Sequence, residues 1–335
     1  MTEKHYGGEA GFGAKEAVKT AKNTPIVKKE SKSNMKSESK SDSNNYQDYI
    51  KAGKIAIQVV NYAKSIIKKD MLLLEIADKI ESKIVELKAK PAFPTNLSIN
   101  EIAAHFTPSF NDETKAHGLL KVDIGVQING CTADTAFSLD LENSAENKIL
   151  IGAAESALKA GLEKINHNIK LKEIGKAIEN AMKSKGVNPI NNLSGHSITE
   201  YDLHAGITIP NYDNSSDFEL EEGVYAIEPF STMGLGSVRD GKPSGIYHLQ
   251  KDGNVRDSFA REILAFIAEE YRTLPFCSRW VCKKFGSRAL IALKRIEEAG
   301  LLHHYRQLIE KSEAKVAQAE HTVIITKKEK IITTE

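Results

Sequence analysis

The sequence predicts an α+β fold of two similar halves, each a helix pair followed by a histidine-bearing loop and strands. Three observations predict it. Apolar residues recur with helical spacing in pairs of segments, near 50–87 and again near 151–182. Strand-like runs follow each pair, the clearest flanking Asn129-Gly130. A third helical stretch, at about 250–310, reads as an insertion before the last strand.

The elements follow in order. Residues 1–45 carry nine lysines and six acids, and six of the thirteen residues from Ser31 to Ser43 are serine. Such a segment buries too little apolar surface to offset an ordering cost of roughly 1–2 kcal/mol per residue, so it is expected to be a disordered extension. A folded domain is expected over 46–335. Its first helix has Ile55, Val59, Tyr62 and Ile66 on one face; its second has Leu73, Ile76, Ile80, Ile84 and Leu87. The segment 92–100 reads as a loop, and 101–105 as short and irregular. Strands are expected at Leu119–Ile128 and Cys131–Leu139, because Asn-Gly suits a type I′ turn. Two more helices follow, one with Ile151, Ala154, Leu158, Leu162 and Ile165 on a face, the other ending at Gly186. Gly195-His196 is read in a loop, Val224–Glu228 as a strand, 256–300 as three short helices and Glu320–Thr326 as the closing strand. Asn96-Leu97-Ser98 and Asn192-Leu193-Ser194 sit at similar places in the two halves.

Composition excludes several classes of protein. With 46 basic and 45 acidic residues among 335, the net charge is +1, unlike a coat for nucleic acid. No apolar run approaches the ~18 residues of a membrane span, and no secretory h-region is visible. Three cysteines, Cys131, Cys277 and Cys282, suit a reducing cytosol.

The hairpin carries the first chemical signal. Cross-strand partners about Asn129-Gly130 have numbers summing to 259, so Gly125 faces Asp134. Asp123 lies two residues from Gly125, on the same side of the pleat. The two aspartates are thus diagonal neighbours on one face. Aspartates are unfavourable in apolar strands, and like charges on one face repel. A divalent cation would compensate; a hairpin with one face in water would also tolerate them. Glu228, in phase with Val224 and Ala226, reads as an inward carboxylate. Glu320 opens an apolar strand, and His196 follows a glycine. Four carboxylates and one imidazole suit two hard or borderline divalent ions.

The chain resembles the type II methionine aminopeptidases, of the pita-bread metallopeptidase fold. The resemblance is carried by Ala92–Pro108, Lys121-Val-Asp-Ile-Gly125 with Asp134, Ser194-Gly-His-Ser-Ile198, Asp202-Leu-His-Ala-Gly206, Ala226-Ile-Glu-Pro-Phe230 and Ala319-Glu-His-Thr322. It implies removal of the initiator methionine from cytoplasmic nascent chains whose second residue is small. It implies Asp123 on one ion, His196 and Glu228 on the other, and Asp134 and Glu320 bridging them. The ions would be Co, Mn, Fe or Zn. Glu228 would shuttle protons. His105 and His204 would hydrogen-bond substrate and the developing oxyanion, and Phe93 and Leu203 would line the methionine pocket. The family's usual state implies a monomer. Two other readings share this fold: a proline-specific aminopeptidase, and a non-catalytic ribosome- or RNA-associated relative.

Other features receive plainer expectations. Arg272, Arg279, Lys283, Lys284, Arg288, Lys294 and Arg295 of the insertion are expected on a solvated helix face rather than at a ribosome. His303-His304 is expected to be a solvated pair on a helix end. His321 is expected to point away from Glu320 by strand alternation.

Overall fold

The computed structural model describes residues 46–335, so the expected disordered extension lies outside the described residues. The first half comprises α1 (Gln47–Ile66), α2 (Leu73–Glu86), β1 (Lys90–Pro91), β2 (Asn96–Ile99), β3 (Ile102–Ala104), β4 (Leu119–Ile128) and β5 (Cys131–Asp140). The second comprises α3 (Ala145–Lys164), α4 (Leu171–Lys183), β6 (Asn188–Pro189), β7 (Ser194–Ile198), β8 (Thr208–Pro210), β9 (Gly223–Ile227) and β10 (Phe230–Thr232). The chain continues through β11 (Val238–Leu249), α5 (Ser258–Glu270), β12 (Phe276–Cys277), α6 (Ser278–Phe285), α7 (Ala289–Glu298) and β13 (Leu302–Glu310). It closes with β14 (Val316–Gln318), β15 (His321–Ile325) and β16 (Lys330–Ile332).

The halves meet sheet to sheet. β4 pairs with β1, β2 and β5, and β15, β9, β7 and β8 run in order behind β16, all antiparallel. The two sheets join where Ala136 of β5 bridges Glu320. Beside that bridge the Thr322 hydroxyl donates to the Asp134 carbonyl and accepts from the Asp134 N–H, each at 2.8 Å. Each half has its own apolar core, one beneath α1 and α2, the other beneath α3 and α4. The insertion helices share a third with β11 and β13.

The hairpin register is the expected one: Gly125 pairs with Asp134 and Asp123 with Ala136. Asn129 and Gly130 both have positive φ, +53° and +85°, as a type I′ turn needs. The helix pairs and three insertion helices also lie where periodicity puts them.

Four expectations are corrected. The buried face of α1 is Ala52, Ala56, Val59 and Ala63, with Ile55, Tyr62 and Ile66 only partly buried. Small residues let the helix approach closely: a Cβ on Gly53 would lie 2.2 Å from the Thr333 carbonyl oxygen. The segments read as loops at 92–100 and around His196 contain strands, β2 and β7. β2 pairs with β4 and β7 with β9, some twenty or more residues away in sequence, and the nearer partner of β7, β8, is only three residues long, so no local pattern marks them. The insertion is helical only to Glu298; residues 302–310 form β13 against β11. His303 and His304 therefore sit on a strand, not a helix end. Finally, Arg279 is fully buried. Its guanidinium donates to both Glu81 carboxylate oxygens at 2.7 Å and to Asp78 at 2.9 Å, tying α6 to α2.

Candidate metal centre

Five side chains from five strands or strand ends converge where the two sheets join. Asp123 comes from β4 and Asp134 from β5. His196 comes from β7, Glu228 follows β9 and Glu320 precedes β15. Candidate donor atoms of Asp134, His196 and Glu320 all lie within 4.8 Å of one another. So do those of Asp123, Glu228 and Glu320. Glu320 belongs to both groups.

Local sequence explains the convergence. Gly195 lets β7 lie close to β9, since a Cβ there would meet the Ala226 carbonyl oxygen at 2.2 Å. That approach sets His196 opposite Ala226 in register. Asn211 ties the same region together, its amide donating to the Leu193 and Glu228 carbonyls at 3.0 Å. Gln318 donates to the Glu228 carboxylate at 2.8 Å. No sequence motif singled out Gln318 or Asn211. Gln318 lies two residues before Glu320, and that spacing was the available signal.

The electrostatics are unfavourable as the residues stand. Burial, opposed by a hydrogen bond from Gln318, lifts the Asp123 carboxyl to about 7. Burial and then the neighbouring carboxylates hold Asp134, Glu228 and Glu320 well above the usual range. Burial and then the His204 ring push His196 down to about 3. Asp123 and Glu228 are only partly buried by surface area because they face a narrow cavity. Protein surrounds both carboxylates, and that desolvation is the largest cause of their raised proton affinity.

Unpartnered atoms test whether cations fit. Asp123 Oδ1, Asp134 Oδ1, His196 Nδ1 and both Glu320 carboxylate oxygens are buried without a hydrogen-bond partner. Each such group costs roughly 1–3 kcal/mol, and more if charged. Divalent cations would supply the missing partners and remove the mutual repulsion. The donor set fits them: oxygen-rich, with one imidazole, in two adjacent groups.

The centre lies in a cavity of about 280 Å³. His105, His204, Phe93 and Leu203 line it, as expected, together with Tyr305 and Pro275 from the insertion. Phe93 and Leu203 pack on Ala92 as a small apolar cluster. Gly125 makes room for the Phe93 ring, which a Cβ would approach to 2.3 Å. His105 adopts positive φ, +61°, which aims its ring inward. Its Nδ1 lies 3.1 Å from the Arg306 carbonyl, so Nδ1–H is the donor and Nε2 carries the lone pair. Burial pushes this imidazole down to about 4, which keeps it neutral. The His204 ring stands edge-on to His196 at 4.5 Å. His321 turns away and meets the Thr334 hydroxyl at 2.9 Å.

A duplicated α+β fold, with carboxylates and one histidine gathered where the halves join, defines a class of metal-dependent hydrolase. The sequence profile of metallopeptidase family M24 matches residues 47–327, and the chain belongs to that family. It is 47% identical over 291 residues to the methionine aminopeptidase of Pyrococcus abyssi, covering 85% of this chain and 98% of that one. With the methionine aminopeptidase of Methanocaldococcus jannaschii it shares 42% over 292 residues, covering 86% and 98%. Among solved structures, a thermophilic Arx1 is similar with a TM-score of 0.77 at 16% identity, over 87% of this chain and 90% of that one. A methionine aminopeptidase from Rickettsia prowazekii is similar with a TM-score of 0.63 at 19% identity, over 88% and 98%. At such identities these two structures speak for the fold alone.

Proposed function

We propose that the protein is a methionine aminopeptidase that removes the initiator methionine from nascent polypeptides with a small second residue. The observation that carries this is the set of unpartnered buried donors at the end of a cavity with an apolar Phe93–Leu203 wall. The archaeal methionine aminopeptidases, matched over almost their whole length, support the same reading. No helix among the described residues is long and apolar enough to cross a membrane. We place the activity in the cytoplasm, where nascent chains are, and take the monomer as the working unit.

The assignment of roles is as follows. Asp123 would hold one ion and His196 and Glu228 the other, with Asp134 and Glu320 shared between them. Glu320's place in both donor groups supports its bridging role. Two divalent ions, of Co, Mn, Fe or Zn, would supply the Lewis acidity that makes water nucleophilic at neutral pH and polarises the scissile carbonyl. The side chains do the rest. Phe93 and Leu203 exclude water around the methionine side chain. His105 Nε2, a lone-pair acceptor, takes a hydrogen bond from a substrate N–H, while His204 is the donor for the developing oxyanion. Glu228, its proton affinity raised by burial, passes a proton toward the leaving amine. Gln318 orients it.

Hydrolysis of a panel with Met-Ala-Ser, Met-Leu-Ser and Ala-Pro-Ser peptides, after chelation and readdition of each metal, tests this. The expected result is loss on chelation, recovery on readdition and cleavage after methionine in Met-Ala-Ser alone. Preferential cleavage of Ala-Pro-Ser would overturn the substrate, and activity without metal would overturn the centre.

A further inference from the structure

His303, expected on a helix end, lies instead on β13, two residues before Tyr305, which lines the cavity. β11 and β13 pair so that His248 faces His303 directly. Their rings are 5.1 Å apart, at an interplanar angle of 37°. Both touch Tyr305, at 5.3 and 4.8 Å, and Tyr305 stands edge-on to His105 at 5.2 Å. Three side chains thus lead from the surface to the cavity lining.

The neighbouring His304 shows what a structurally used histidine looks like here. It stacks on Tyr247, accepts a hydrogen bond from the Gly245 N–H at 3.1 Å and meets Glu297 at 3.2 Å. Both its nitrogens are engaged. His248 differs: its Nδ1 is buried and has no hydrogen-bond partner. His303 is exposed, so solvent reaches the pair. Burial and the His303 ring lower the proton affinity of His248, so its lone pair is available at neutral pH. Asp202 lies near enough to act on the His248 ring, and its charge favours a cation there.

Two imidazoles held opposite each other on adjacent strands are placed to share one ion. Imidazole suits Zn, Cu and Ni, and water can complete the coordination. We propose that His248 and His303 form a separate transition-metal site at the cavity mouth, outside the carboxylate centre. An ion there would hold the two rings together against Tyr305 and narrow the entrance. Occupancy therefore slows turnover, making the enzyme sensitive to excess metal.

The test is metal content by equilibrium dialysis of the full chain against a Zn²⁺ series, alongside peptide hydrolysis over that series. The wild type is expected to bind one more Zn²⁺ than His303→Ala, and excess Zn²⁺ to slow the wild type several-fold more than the variant. His248→Gln is expected to behave like His303→Ala. His117→Ala, which removes an exposed histidine elsewhere, is expected to keep the wild-type count. Equal counts for the wild type and both pair variants would overturn the site. Differing counts with equal Zn²⁺ inhibition would overturn its hold on turnover. Each comparison is between wild type and variant, so it stands however many ions the carboxylate centre holds.

Discussion

Two clusters in this molecule gather carboxylates away from water and differ in what partners them. Around Arg279, the Glu81 carboxylate accepts from the guanidinium, from the Trp280 indole at 2.8 Å and from the Thr95 N–H at 3.2 Å. The remaining Arg279 donors reach Asp78 and the Pro108 carbonyl. Opposite charges are balanced and the hydrogen bonds are made. At the metal centre four acids face one another, and three of them, Asp123, Asp134 and Glu320, have orphaned oxygens. The first cluster is complete as protein, joining insertion to core. The second is complete only with a cation. Satisfied polar atoms and balanced charge, rather than burial, separate the structural cluster from the site.

The largest expected effect would break this comparison if absent. Asp134→Asn and Glu320→Gln should each lower kcat on Met-Ala-Ser by roughly 10³-fold, the scale of losing transition-state electrostatics. The metal-free variants should melt no lower than the metal-free wild type, since each removes a buried repulsion. Near-wild-type kcat in either variant would sink the ligand assignment.

The Arg279 cluster should respond in the opposite way. Arg279→Met leaves Glu81 buried and unpaired, and should destabilise the fold by about 3–5 kcal/mol in urea unfolding. Pairing it with Glu81→Leu should restore much of that loss. At the metal centre a single carboxylate removal should not need such a partner.

Gln318→Leu sharpens the picture between these extremes. It strips the hydrogen bond from Glu228 and should cost about 10–100-fold in kcat, the usual effect of losing a group that orients a ligand. Glu228 stays in place, so metal content measured by dialysis should stay near that of the wild type.

The smallest effect is a slope. In the metal-free protein the folded Asp123 carboxyl titrates near 7 and its unfolded counterpart near 3.8. Its stabilising contribution is full below about 4 and is lost as pH rises through 7. His105 and His196 act oppositely, gaining stability as pH rises, but their unfolded forms are largely neutral above about 7.5. From about pH 7.5 to 9 only the carboxylates held well above their usual range count. The melting temperature of the metal-free protein should fall across that window and that of the metal-loaded protein should stay flat. A metal-free curve that rises would contradict the buried carboxylate reading.

Local geometry decides what was legible in the sequence. The Asn129-Gly130 turn sets its own register, and that register carried Asp123 and Asp134 to one face before any tertiary information. Helical spacing likewise located α2 and the insertion helices, because periodicity is a property of the chain itself. For α1 the same rule picked the larger side chains, while close packing buried the alanines. The five proposed ligands were legible as an ordered set of motifs. Arg279 was not: its partners Asp78 and Glu81 lie two hundred residues away, and from composition it resembles any surface arginine.

Sequence alone determined the two-half α+β plan, the carboxylate hairpin and the residues offered as ligands. Tertiary structure alone decided that β7 is a strand, that Glu320 falls within reach of both donor groups and that Gln318 holds Glu228. It also decided that His248 faces His303 across two strands. The division has one cause. Turns and helices close over a few residues, so their pattern is written locally. Sheet pairing and burial join segments tens to hundreds of residues apart, and only the folded chain brings those partners together.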